Sequence, residues 1–271
     1  MPVQFSGERD AIVFKHFLDR LLMSIYKNFK NLLTCIKVTS KPDHNLTCTP
    51  SCLDRLGNMK DIGFSPKYIL DCGASVGHWS WEVGKLFNDA QIIAIEPNPK
   101  VTPRTRELLS RLSPAPVIEE CAVGATDGTA YLNIWDNDET KMSGSSLKEH
   151  VQGDPREKVS VQLKTLDTIC KERNVKPDLV KLDLQGYELD ALKGATNILK
   201  STEAFIIEFG CLQAYIDRTT PNDLINLMYS NDYCLYDIVD LIYRPYDKAL
   251  TGGDFFFIKN SSKFRAHKGY I

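Results

Sequence analysis

Hydrophobic positions near the start of the chain recur every three or four residues, at Phe14, Leu18, Leu21, Ile25, Phe29, Leu32 and Ile36. That period predicts a long amphipathic helix over 11–37, with Lys15, Asp19, Arg20, Lys27 and Lys30 on its other face. Such a stripe needs a covering surface, so the helix is expected to dock on the main domain or form a homo-oligomer contact. Residues 38–66 mix Pro, Ser, Thr and charge without a period and read as a connector. From Lys67 short apolar runs alternate with helical patterns. Residues 68–72 and 91–95 are strand-like around a helix at 79–88, and 117–123 follows a second helix near 103–112. Residues 129–135 and 158–164 alternate as half-exposed strands do. The continuous runs 179–184 and 204–209 flank a helix at 187–200 and suit parallel strands buried on both faces. Residues 233–239 and 255–258 pair across a turn-rich loop containing Thr251-Gly252-Gly253. The order predicts an open, doubly wound α/β sheet, mostly parallel, with an antiparallel hairpin at its edge. The expected division is a helical extension and connector over 1–66, the α/β domain over 67–260 and a basic tail over 261–271.

Composition narrows the class. The 271 residues carry 33 Lys+Arg against 35 Asp+Glu, a net charge of −2, which leaves no electrostatic footprint for nucleic acid. Hydrophobic residues at 43% exclude a disordered chain. The eight cysteines sit mostly inside apolar runs, and Cys48-Thr-Pro-Ser-Cys52 lacks the second pair a zinc site needs, so they read as thiols in a reducing compartment. Glu8, Arg9 and Asp10 stand where a signal peptide would begin its apolar stretch, and no run approaches membrane-spanning length. A soluble, cytoplasmic protein is expected. In that setting the sequon Asn45-Leu46-Thr47 has no role.

The first strand runs into Asp71-Cys72-Gly73-Ala74-Ser75-Val76-Gly77, directly before a helix. Glycines there let backbone approach a ligand and offer free N–H groups at a helix start. A dinucleotide site would want a glycine at position 75, which is Ser75. The pattern suits a ligand bearing a carboxylate and an ammonium, which Asp71 would accept from directly or through water, and Glu96 at the end of the second strand would take both hydroxyls of a ribose. A plain tight turn with Glu96 as a cap is the alternative.

These residues carry a resemblance. D-C-G-A-S-V-G with E-P-N-P resembles the first motifs of class I S-adenosylmethionine-dependent methyltransferases. G-S-S-L at 144–147, T-L-D at 165–167, V-K-L-D-L-Q-G-Y-E-L-D-A-L-K-G-A at 180–195 and Ile206-Ile207-Glu208 resemble the FkbM-type family, over about residues 68–259. The resemblance implies a Rossmann-like seven-stranded sheet and O-methylation of a hydroxyl on a sugar, glycan or natural product. It implies S-adenosyl-L-methionine as cofactor, with Asp71, Gly73, Ala74, Ser75, Gly77, Glu96, Pro97, Ala122 and Asp183 around it. Gln185 stands where the family often has Glu.

Three carboxylates are expected on the reaction side. Asp183 and Glu208 end apolar strands, and Glu188 sits on the apolar stripe of its helix, where an idle carboxylate is costly. A sugar hydroxyl is a weak nucleophile, so a proton acceptor helps, and Asp183, Glu208, Glu188 or His78 would serve. Clustered oxygens would alternatively hold Mg²⁺ to orient a diol, although no metal-specific spacing is present. Trp79 and Trp81 read as core or pocket walls. Rival readings are a non-catalytic S-adenosylmethionine-binding module and a methyltransferase acting on nitrogen.

Overall fold

A computed structural model describes residues 50–135, 145–151, 153–212, 215–217 and 219–269, all in one unit, Thr49–Ile271. The helix predicted over 11–37, its oligomer contact, Cys35, Cys48 and the sequon lie outside the described residues.

The main sheet has seven strands in the order β3-β2-β1-β7-β8-β10-β9. They are β1 (Tyr68–Cys72), β2 (Gln91–Ile95), β3 (Val117–Glu119), β7 (Leu179–Leu182), β8 (Ala204–Gly210), β9 (Tyr233–Tyr243) and β10 (Leu250–Lys259). Neighbours from β3 to β8 are parallel, and β10 inserts antiparallel between β8 and β9. The strand order reverses between β1 and β7, the switch point where ligands bind in open α/β sheets. The continuous apolar runs are covered on both faces. Leu70, Val180, Phe205, Ile207 and Phe257 face one core cluster, and Ile69, Leu179, Ala204, Ile206 and Phe256 face the other. Each large side chain fully buried there contributes about 1.5–3 kcal/mol.

A smaller sheet has the order β4-β6-β5, formed by β4 (Ala122–Val123), β5 (Gly128–Ile134) and β6 (Glu157–Lys164). The run 117–123, expected as one strand, therefore divides. β3 pairs with β2, whereas β4 leaves across Glu120-Cys121 and pairs with Leu163 and Lys164 of β6.

The helices are α1 (Cys52–Asp61), α2 (His78–Leu86), α3 (Thr102–Leu109), α4 (Leu166–Arg173), α5 (Glu188–Lys193), α6 (Ile198–Ser201) and α7 (Pro221–Ser230). Three expectations change. The stretch expected as connector contains α1, started by a capping box between Ser51 and Asp54 and burying Cys52, Leu56 and Met59. The helix expected over 187–200 is two, because Asp167 accepts from the N–H groups of Asn197 (2.8 Å) and Ile198 (3.1 Å) and starts α6 afresh. The Asp of the T-L-D motif is thus a cap. Thr251-Gly252-Gly253 lies within β10 rather than in the loop, because a Cβ at Gly252 would stand 2.5 Å from the Phe209 carbonyl oxygen of β8. Among the described residues no helix is long and apolar enough to cross a membrane. The basic tail is anchored by Phe264, which packs edge-on against Phe64 at 5.7 Å.

Candidate active site

At the C-terminal ends of the parallel strands the lower core gives way to charge. Side chains two apart on a strand share a face, so one face reads Ile69 then Asp71, Leu179 then Lys181, Ile206 then Glu208, and Phe256 then Asp254. Two cavities open here. The first, of about 720 Å³, is lined by Gly73, Ser75, Glu96, Pro97, Ala122 and Asp183 among others. The second, of about 810 Å³, is lined by Asp183, Glu208, Asp240, Thr251 and Asp254 among others. Among the described residues, Asp183 is the one lining both.

The first cavity is built from the turn after β1. Gly73 has φ +85°, and a Cβ there would fall inside van der Waals contact of the Asp183 carbonyl oxygen, 3.0 Å from its carbon. Only glycine lets the β1 turn pass the end of β7 so closely. Glu96 ends β2 with one carboxylate oxygen accepting from Ser75 N–H at 2.7 Å and the other from Asn98 N–H at 2.8 Å. Burial pushes its carboxyl up to about 7, against the pull of those two N–H groups. The small sheet and the segment after it supply Leu132, Ser145, Ser146 and Leu147 to the wall. Ser146 Oγ donates to the Gln185 carbonyl at 2.9 Å, which explains the serine of the G-S-S-L motif.

The expected site residues separate into groups. Gly73, Ser75, Glu96, Pro97, Ala122 and Asp183 line the first cavity. Ala74 and Gly77 do not; they shape the turn, Ala74 N–H donating to Ile95 O and Gly77 starting α2 at φ +84°. Asp71 is fully buried and lines neither cavity. One of its oxygens accepts from Ser80 Oγ at 2.6 Å, and the other is buried without a hydrogen-bond partner. It lies beneath the turn, in register with Lys181, so of the two expected routes to a ligand ammonium the one through water is the one its burial leaves. Glu188 is buried and accepts from Leu184 N–H (2.9 Å) and Gly186 N–H (3.0 Å), closing the loop after β7. His78 is exposed and lines neither cavity. Trp79 and Trp81 pack in core clusters, also outside the cavity walls.

Two residues that the strand pattern did not single out complete the site. Gln185, held at φ +53°, donates from its amide nitrogen to Asp183 Oδ1 (3.0 Å) and to both oxygens of Glu208 (3.3 Å). A neutral amide therefore joins the two carboxylates, where a glutamate would add a third like charge. Lys181 donates to Asp183 Oδ2 at 2.7 Å. Its signal was present in the sequence, since a lysine inside a buried run must find a counter-charge. Among the described residues, the group of three or more ligand atoms that converges closely enough for a metal is Cys52, Asp240 and Asp254. In that group Cys52 Sγ accepts from Trp79 Nε1 at 3.2 Å, and burial pushes the thiol up to about 12.

The residues fit S-adenosylmethionine. The buried Glu96 carboxylate after β2 is a group that would take a ribose diol, and Gly73, bare of a side chain, lies against the Asp183 carbonyl.

Comparison with known proteins follows the same region of the chain. The family model described as the methyltransferase FkbM domain matches residues 71–236. The chain is 28% identical over 158 residues to methyltransferase sdnD of Sordaria araneosa, covering 48% of this chain and 61% of that protein. It is 26% identical over 171 residues to 2-O-methyltransferase NoeI of Sinorhizobium fredii, covering 59% and 70%. It is 28% identical over 159 residues to hexuronic acid methyltransferase AglP of Haloferax volcanii, covering 55% and 60%. The match thus spans about three fifths of the length of two of these relatives and somewhat more of the third. With the switch-point cavity, the Gly73 turn, the Glu96 carboxylate and the V-K-L-D-L-Q-G strand end all inside the matched residues, this chain belongs to the FkbM methyltransferase family.

Proposed function

We propose that this chain is an S-adenosylmethionine-dependent O-methyltransferase acting on a hydroxyl of a sugar, glycan or natural product. The observation that carries the reading is Asp183, shared by the two cavities. The cofactor, when bound, supplies a methyl on a sulfonium, already a strong electrophile. The chain then has to orient the acceptor, exclude water and accept a proton. In this reading Glu96 takes the ribose hydroxyls, and Gly73, Ser75 and Pro97 wall the first cavity. The acceptor occupies the second cavity, where Glu208, Asp240 and Asp254 accept from its hydroxyls. Asp183 takes the proton of the hydroxyl being methylated. Carboxylates only accept hydrogen bonds when ionised, which matches a donor-rich polyol. The relatives described as a 2-O-methyltransferase and a hexuronic acid methyltransferase support a carbohydrate acceptor.

The test is to incubate the protein with S-adenosylmethionine and a panel of methyl glycosides, uronides and amino sugars. S-adenosylhomocysteine release is measured, and the product is located by NMR. Methylation on oxygen is expected. Methylation on nitrogen would replace this reading by the amine one, and tight cofactor binding with no transfer across the panel would favour a binding module.

Cofactor binding is expected to depend on pH through Glu96. With the cavity free of ligand its carboxyl holds a proton up to about pH 7, yet accepting two ribose hydroxyls requires the ionised form. A raised carboxyl makes binding release a proton below that pH. S-adenosylhomocysteine affinity should therefore fall about tenfold per pH unit below 7 and level off above it. Glu96→Gln should bind more weakly at pH 8 and lose the slope. Calorimetry giving a flat wild-type profile from pH 5.5 to 8 would remove Glu96 from the ribose.

A further inference from the structure

Lys181 lies on β7, in register with Asp71 of β1 on one side and Ile206 of β8 on the other. It is only 6% exposed. The Trp79 ring covers its ammonium at 5.7 Å, and Asp183 Oδ2 accepts from it at 2.7 Å. Burial works against the charge, but the carboxylates of Asp183, Asp71 and Asp254 outweigh it and hold Lys181 above the usual lysine range. One buried cation thus serves acids from three strands.

These acids do not share it equally. Burial pushes Asp71 up despite Lys181 and Ser80, and pushes Asp254 up to about 7 despite Lys181. Asp183 has the direct contact and the most solvent, its side chain being 35% exposed. A second donor, the Gln185 amide at 3.0 Å, holds its other oxygen. Lys181 and Gln185 thus each donate to one oxygen of the Asp183 carboxylate.

We propose that Lys181 is a positioning residue for methyl transfer, whose ammonium fixes the Asp183 carboxylate in place and holds it charged. This rests on the reading of Asp183 as the proton acceptor. Lys181 lines neither cavity, and the acid it contacts directly is Asp183. A neutral side chain at 181 would remove the ammonium in contact with Asp183 while Glu208, Asp71, Asp254, Glu96 and Glu188 remain, and like-charge repulsion would favour its protonated form.

The experiment is a titration that needs no acceptor. Protein labelled with ¹³C at aspartate Cγ is titrated by NMR without cofactor, and the Asp183 signal is assigned by its loss in Asp183→Asn. In Lys181→Met, and in Lys181→Gln as a second neutral variant, the Asp183 midpoint should rise by about 1–3 in pH. Lys181→Arg, which keeps the charge, should move it much less. Thermal melting verifies that each variant is folded. An unchanged Asp183 midpoint in a folded neutral variant overturns the proposal.

The turnover arm separates this inference from the functional reading beneath it. On an acceptor found in the panel, Lys181→Met should lower kcat with S-adenosylhomocysteine affinity retained. The double variant with Asp183→Asn should be no slower than Asp183→Asn alone, because the two residues act as a unit. If Asp183→Asn turns over normally, the proton-acceptor reading fails whatever the titration shows. If Asp183→Asn is slow but adding Lys181→Met slows it as much again, Lys181 does not work through Asp183 and this inference fails alone.

Discussion

Asp183→Asn is expected to lower turnover by roughly 10²–10⁴, the loss typical of removing a positioned proton acceptor. That corresponds to about 2.7–5.4 kcal/mol in the barrier. The substitution preserves shape but not hydrogen bonding. Both carboxylate oxygens accept from donors, Lys181 Nζ at 2.7 Å and Gln185 Nε2 at 3.0 Å. An asparagine must turn its own NH₂ toward one of them, leaving two donors face to face. A stability loss of about 1–3 kcal/mol should accompany the kinetic one. S-adenosylhomocysteine affinity should be retained, since Glu96 and the Gly73 turn are untouched. Single-turnover kinetics with calorimetry distinguishes the effects. A folded Asp183→Asn protein with wild-type single-turnover rates would remove Asp183 from the proton path.

Gly73→Ala should be the most damaging small substitution in the site. Its backbone is in the left-handed region at φ +85°, which costs an alanine about 1–2 kcal/mol. The added methyl would also overlap the Asp183 carbonyl. That obstacle is backbone at the end of a buried strand, and it cannot rotate away as a side chain would. Overpacking of this kind costs about 1–3 kcal/mol more. Together these predict a loss of about 2–5 kcal/mol, or roughly 5–15 °C in melting temperature for a domain of this size. Relief of the overlap would push β1 and β7 apart at the switch point, so cofactor affinity should fall with stability. A variant that melts within about 2 °C of wild type and binds S-adenosylhomocysteine normally would show that the turn does not need a glycine.

Much of the sheet was legible because a strand buried on both faces leaves a continuous apolar run, and a helix between two such runs forces a parallel crossover. Runs 68–72, 91–95, 179–184 and 204–209 announced β1, β2, β7 and β8 in this way. Gly73, Glu96 and Asp183 were readable for a related reason: each follows an apolar strand at its end, where an idle glycine or acid would cost stability, whereas Glu208, expected to end its strand, lies within β8. The elements that escaped depend on distant partners. Helix α1 shows its capping pair locally, but its three buried residues become a stripe only against the sheet. The 117–123 run looks uniform, and only pairing with β6 decides where it divides. Periodicity places a residue on a face without saying what stands opposite. Tertiary structure alone settled that Glu188 closes a loop, that His78 points to solvent, that Asp71 lies beneath the cavity floor, and that Lys181 and Gln185 grip the two oxygens of Asp183. Those roles are contacts between residues on different elements or across a turn, and their energies exist only once packing brings the groups within hydrogen-bond reach and removes the water between them.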